Sequence, residues 1–236
     1  MPHVPLFPGT PFDAKSRRGR YGDVIEELDA STGRILARIK ELKLDNDTLV
    51  IYTSDNGPWL PYGIDAGSAG PLRGGKGSVW EGGIRVPAIF RWPGRIPAGT
   101  LTSAVAATID FLPTFAMAAG IGLPKDRVID GRNLLPLLTG ANKDGPHEYF
   151  YYFDTALQYT PEQGRPVNNS NLLAVRAGRW KLHLASNELY DLQSDIGETR
   201  DVSARQPEVV KRLREASAKF LSELRARIRP IATRPL

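Results

Sequence analysis

The sequence predicts an α/β domain over residues 1–140, followed by a small antiparallel α+β subdomain over residues 141–236. Three observations carry this reading. Residues 21–42 repeat apolar side chains at helical spacing, and the short apolar run Leu49–Tyr52 follows. Helix then strand is half of an α/β crossover unit. Two apolar runs, Leu49–Tyr52 and Val86–Trp92, bracket a glycine-rich loop. After Gly140 the pattern changes to short alternating segments that end in one basic amphipathic helix.

The bulk numbers bound the answer. The 236 residues suffice for one large domain, or one and a half. A hydrophobic content of 41% is ordinary for a globular chain. No apolar run is long enough to span a membrane, and no basic-then-apolar leader opens the sequence. The compartment is therefore left open. The net charge of +5, from 31 Lys and Arg against 26 Asp and Glu, is concentrated after Arg200 and around Lys15–Arg20. The aromatic interleaving of a nucleic-acid face is missing, so a solvated basic surface is expected rather than a nucleic-acid partner. The absence of cysteine excludes disulfides, thiolate metal sites and a cysteine nucleophile.

In chain order, Met1–Thr10 carries three prolines and reads as an extended loop. Tyr21–Leu42 is the clearest helix, with Val24, Ile25, Leu28, Ile35, Leu36, Ile39 and Leu42 on one face and Gly22-Asp23 at its opening. Asp29 among these apolar neighbours is given a structural role. Leu49–Tyr52 reads as a buried strand that stops at Thr53-Ser54-Asp55-Asn56-Gly57-Pro58. Val86–Trp92 is a second apolar run, and Pro93–Gly99 is a turn. Ser103–Ala107 is expected as a short strand. Ile109–Ala119 is expected as a helix with Pro113 in its first turn and Gly120 at its end. Asp130–Leu138 reads as a turn and a short helix. Glu148–Phe153 is strand-like, and Leu157–Asn171 reads as a long polar loop. Leu172–Arg176, Trp180–Leu184 and Glu188–Asp191 are expected as three short strands, with a tight turn at Ala177-Gly178-Arg179. Pro207–Ile228 is the closing helix. His147 and His183 match no ligand motif and are expected on the surface or in packing.

The chemistry sits between the two apolar runs. Ligand groups gather beyond the carboxyl ends of strands in open α/β sheets, and Asp55 and Asn56 stand at such an end. Alone, the pair reads as an Asx turn. As two hard oxygen donors they also suit calcium or magnesium. The following loop favours the second reading. Gly74, Gly75, Gly77, Gly82 and Gly83 surround Lys76, and such a backbone can approach an anion and offer it N–H groups. A cation site beside an anion-binding lysine implies an oxyanion ester. Gly70–Gly77 nearly fits a P-loop, but Gly77 stands where Ser or Thr is required and no amphipathic helix follows. A nucleotide-binding loop is rejected.

Thr53-Ser54-Asp55-Asn56-Gly57, Leu72-Arg73-Gly74-Gly75-Lys76-Gly77 and Trp80-Glu81-Gly82-Gly83-Ile84-Arg85-Val86-Pro87 together resemble the sulfatase family, of arylsulfatase type, in the alkaline-phosphatase-like superfamily. Weaker similarity extends through Asp110–Thr114, Asp130–Leu138 and Leu189–Asp195 with Gly197-Glu198. The resemblance implies part of a sulfatase sheet with flanking helices. It implies Asp55 and Asn56 as ligands of Ca2+, with Mg2+ as an alternative, and Lys76 as a contact of the substrate sulfate. His3, followed by Pro5, matches the family's His-x-Pro segment, whose histidine binds the sulfate and assists proton transfer to the leaving oxygen. An imidazole suits that task because it titrates near neutral pH. Glu81 and Arg85 look like loop-bracing residues, and a buried ion pair is the preferred reading. Trp59 and Tyr62 flank the site and could stack on a sugar or aryl group; Trp80 is read as packing.

The resemblance covers the C-terminal portion of a sulfatase. The family's nucleophile is a formylglycine made from Cys or Ser in Cys/Ser-x-Pro-x-Arg, and this sequence contains neither version. The aspartate pair that completes the calcium shell is also absent, as are the early parallel strands. The expectation is a sulfuric ester hydrolase portion that supplies metal- and sulfate-binding residues, inactive by itself, with the N-terminal half of the domain as its partner in cis or in trans. Its substrate would be an aryl or carbohydrate sulfate. The alternatives are a truncated, inactive product, a module that binds sulfated ligands or a partner, and a phosphoester or phosphonate hydrolase of the same superfamily.

Overall fold

The computed structural model describes residues 2–154, 157–160, 165–168 and 171–227. These residues group into two compact units, Met1–His147 and Glu148–Leu236.

The first unit opens with an extended segment that leads into helix α1, Gly19–Glu41. The helix begins earlier than Gly22-Asp23 suggests. Gly19 adopts φ 65°, a conformation that lets the chain turn sharply into the helix. Asp23, fully buried, folds the preceding turn back onto it. Its carboxylate accepts the backbone N–H groups of Ala14, Lys15 and Ser16 at 3.0, 3.0 and 2.7 Å. Those bonds, led by that from Ser16, hold its pKa below the usual carboxylate value. Arg38 and Lys40 sit in the last turn, where positive charge suits the helix dipole.

Strand β1, Val50–Thr53, pairs antiparallel with β2, Ala88–Arg91, so that Val50 faces Arg91 and Thr53 faces Ala88. Between them lies the one-turn helix α2, Glu81–Ile84. The end of β2 is locked to the turn before β1. The Trp92 indole N–H donates to the Asn46 carbonyl at 2.7 Å, and Arg91 pairs with Asp45 at 2.8 Å. Every strand pairing among the described residues is antiparallel, so α1 and β1 have no parallel neighbour there.

Ser103–Ala107, expected as a strand, is irregular. Alternation alone does not make a strand without a partner to accept its backbone bonds. Helix α3, Phe111–Ala118, follows a 3₁₀ turn, and α4 spans Leu135–Leu138. Asp110 fastens these parts together. Its buried carboxylate accepts from Ala107 N–H at 2.8 Å and Arg132 N–H at 2.7 Å, and lies 2.8 Å from His147 Nε2. Thr114 extends the link, donating to the Asp110 carbonyl and accepting from Leu134 N–H. His147 is thus a buried partner of Asp110, not a surface residue.

The second unit is a four-stranded antiparallel sheet covered by one helix. In spatial order the strands are β3, Phe150–Phe153; β6, Leu172–Ala177; β7, Trp180–His183; and β8, Glu188–Asp191. The segment expected as a polar loop instead contains a two-stranded ribbon, β4, Leu157–Thr160, against β5, Arg165–Asn168. Helix α5 runs from Pro207 to Ala226; Ile228, the expected end, lies outside the described residues. Val175, Leu182, Leu189 and Leu213 are fully buried and join helix to sheet. The Tyr151 ring stacks on Phe220 with centroids 3.8 Å apart. Burial, more than the nearby Tyr149, Glu223 and Glu148, pushes the Tyr151 phenol up to about 12. His183 is buried as well, 3.0 Å from Glu198, which also pairs with the buried Lys181 at 3.0 Å.

Candidate functional site

The turn after β1 and the glycine loop are layered so closely that side chains are excluded between them. A Cβ on Gly57 would lie 1.8 Å from the Gly82 carbonyl oxygen, and one on Gly75 would lie 2.4 Å from that of Pro58. Gly74 and Gly77 supply the positive φ values, 74° and 86°, that bend the loop. Four backbone donors are used inside this layer. Gly57 N–H donates to Gly83, Lys76 to Pro58, Gly82 to Arg73 and Gly83 to Trp80, at 2.8–2.9 Å. The N–H groups of Gly82 and Gly83 are therefore not available to an anion, and these two glycines serve close backbone packing. The loop also carries the Lys76 side chain.

Lys76 meets His3. The Lys76 Nζ lies 3.4 Å from His3 Nε2, across 73 residues of sequence. The His3 Nδ1 is 2.8 Å from the Val4 carbonyl. A carbonyl only accepts, so Nδ1 carries a proton and Nε2 is the ring atom facing the ammonium. Trp59 borders the pair. Its ring centroid is 5.4 Å from Lys76 Nζ and 6.2 Å from the His3 ring. Tyr62 stands 4.7 Å from Trp59, ring to ring. His3, Tyr21, Asn56, Trp59, Tyr62 and Lys76 all line one cleft of about 510 Å³.

Tyr21 is a lining residue that helix periodicity does not single out. The available signal is its position at the start of α1 facing Gly67, where a Cβ would lie 2.6 Å from the phenol. Burial, and then the neighbouring Tyr52, raises the Tyr21 pKa, so the phenol stays protonated and can donate.

Asn56 lines this cleft, whereas Asp55 is exposed at the end of β1 and is not among the lining residues. The Asn56 amide N–H₂ donates to the Gly57 carbonyl at 2.9 Å, which turns Oδ1 away as an acceptor. A carboxylate and an amide oxygen are the donor types a hard cation prefers. They fit calcium or magnesium as two ligands. Calcium takes about six to eight, and no group of three or more His, Cys, Asp or Glu suited to a metal occurs among the described residues. Behind the loop, buried Glu81 lies 3.9 Å from Arg85, whose side chain is 42% exposed, so the expected buried ion pair is buried on the carboxylate side only. Arg73 stacks over Trp80 at 3.7 Å.

Residues 2–121 match the family described as Sulfatase, and residues 75–226 match N-sulphoglucosamine sulphohydrolase, C-terminal. The chain is 35% identical to steryl-sulfatase of Homo sapiens over 94% of its own length and 43% of that protein's. It is 37% identical to arylsulfatase A of Homo sapiens over 90% of its length and 45% of that protein's. Thus it spans less than half of each of these curated relatives. Among solved structures, Ps i-CgsB in complex with k-i-k-neocarrahexaose superposes with a TM-score of 0.77 at 28% identity, over 93% of this chain and 48% of that one.

Proposed function

Because the chain belongs to the sulfatase family, we propose that its cleft holds the sulfuryl group of a sulfuric ester, and that these residues form the sulfate-holding portion of a sulfuric ester hydrolase. The observation that carries this is the convergence of Lys76 Nζ and His3 Nε2 at 3.4 Å in a cleft. Two nitrogens at that spacing can donate to oxygens of one tetrahedral anion once the His3 ring carries a proton at Nε2 as well as at Nδ1.

The geometry supports the following roles. The Lys76 ammonium pairs with non-bridging sulfuryl oxygens and balances the charge that grows there as the S–O bond breaks. The bond from Nδ1–H to the Val4 carbonyl fixes the His3 ring so that a proton enters and leaves at Nε2. The leaving alcohol oxygen takes its proton from that atom. Asn56, through Oδ1, and Asp55, through its carboxylate, would supply two ligands to Ca2+, with Mg2+ the second choice. Such an ion would add positive charge at the sulfuryl oxygens. The formylglycine nucleophile would come from polypeptide outside these 236 residues, in cis or in trans, since the sequence has no cysteine and no Ser-x-Pro-x-Arg. That same absence favours a second reading for the chain by itself: a binder of sulfated ligands without turnover. The names of the relatives point to steryl, aryl and carbohydrate esters alike.

Calorimetric titration with inorganic sulfate, with and without Ca2+, tests the core of the proposal. Replacing Lys76 with Ala removes one charge-assisted hydrogen bond, which should weaken binding roughly 10- to 100-fold; His3→Ala should weaken it less. Sulfate affinity that is the same in the wild-type chain and both variants would remove the basis of the proposal.

A further inference from the structure

Trp59 and Tyr62 form an aromatic platform that the oxyanion role does not use. Their rings are in contact at 4.7 Å, yet Trp59 remains 40% and Tyr62 46% exposed. Both face the cleft occupied by His3 and Lys76. Apolar rings beside convergent polar groups in a concave site are the usual makings of a small-molecule pocket.

The platform is built rather than incidental. Tyr62 N–H donates to the Trp59 carbonyl at 3.1 Å, which sets both rings on one turn. The turn lies in a kinked 3₁₀ segment, Leu60–Ala66, whose kink is Gly63 with φ 57°. Its far end is seated on α1, where Gly67 abuts the Tyr21 ring with no room for a Cβ. Its near end is tied to the lysine loop, because Lys76 N–H donates to the carbonyl of Pro58, the residue before Trp59. The two loops are thus tied together, with the Lys76 ammonium 5.4 Å from the indole centroid.

We infer that Trp59, seconded by Tyr62, selects the leaving group: the preferred ester carries its sulfate directly on, or one atom from, a ring with a flat apolar face, which stacks on the indole. This inference rests on the oxyanion reading above. With the sulfate held by Lys76 and His3, the indole lies beside the anion, where the first ring of the alcohol can stack and a methyl group offers little surface. Aryl rings and the apolar face of a pyranose share this chemistry.

The test compares affinities of the 236-residue chain for phenyl sulfate, glucose 6-sulfate and methyl sulfate, with inorganic sulfate as reference. At least one ring ester should bind about 3- to 10-fold tighter than methyl sulfate, the size of an aromatic stacking contact. The ring giving the larger gain identifies the source. Trp59→Ala should bring the ratio of ring ester to methyl sulfate close to one, and Trp59→Phe should keep most of it. Tyr62→Ala, which leaves the indole in place, should lower the ratio partially and serves where Trp59→Ala does not fold. An unchanged ratio in the folded Trp59 and Tyr62 variants, or equal binding of all three esters to the wild-type chain, would overturn the platform and leave the oxyanion site standing. Failure of inorganic sulfate and methyl sulfate to bind at all would overturn the oxyanion site, and the platform with it.

Discussion

Asp191 shows how single residues in the second unit hold the sheet together. It lies at the end of β8, where its carboxylate pairs with the Arg179 guanidinium and accepts from the Ser194 hydroxyl and Gln193 N–H. The hydrogen bond from Arg179, ahead of the other partners, lowers its pKa from 3.8 to about 2. A lowered carboxylate pKa stabilises the fold above the unfolded value and loses that contribution as pH falls through the folded value. The contribution of Asp191 should therefore be complete above about pH 4 and vanish towards pH 2. Asp191→Asn should cost about 1 kcal/mol at neutral pH in urea unfolding, because the half-exposed Arg179 is partly screened. The difference from wild type should shrink across that acid window. At the same scale, His3 and Lys76 depend on orientation as much as on identity. Their pairing requires Nδ1 of His3 to be engaged with Val4.

At the scale of elements, the layered loops explain the glycine content of the site. Gly57→Ala would place a methyl group 1.8 Å from the Gly82 carbonyl oxygen, and the backbone must move to relieve it. A cost of about 1–3 kcal/mol is expected from such overpacking. The shift should also move Lys76, since the Lys76 N–H is bonded to Pro58, next to Gly57. Thermal unfolding and sulfate titration of one sample would show both effects, and wild-type behaviour in both would refute the packing role. The helices were legible because apolar residues recur at helical spacing in α1 and α5, although Ile35 and Leu42 towards the end of α1 are 58% and 50% exposed. The β4–β5 ribbon was not, because polar residues carry no alternation and the pairing of strands is not written in either strand alone. Ser103–Ala107 misled for the opposite reason, with a strand-like composition but no strand beside it. Lys76 and His3 were found through motifs resembling a family. Their approach to 3.4 Å arises from backbone packing that no local pattern records. On similar grounds the sequence leaves open whether His147 and His183 pack or face solvent, since their carboxylate partners are distant in sequence; both pack.

At the scale of the whole molecule, the chain spans 43% of human steryl-sulfatase and 45% of human arylsulfatase A. Its proposed site brings Lys76 and His3 together at 3.4 Å, and the 236 residues hold neither form of the nucleophile motif. The 236-residue chain should therefore bind aryl sulfates without hydrolysing them. Release of 4-nitrophenol from its sulfate ester at rates above the buffer would count against the assignment of the nucleophile to other polypeptide. The most direct measurement is a crystal structure of the chain grown with phenyl sulfate and calcium. The account predicts sulfate oxygens within hydrogen-bonding distance of both Lys76 Nζ and His3 Nε2, with the phenyl ring on Trp59. An ester ordered elsewhere, with this cleft left open, would contradict it.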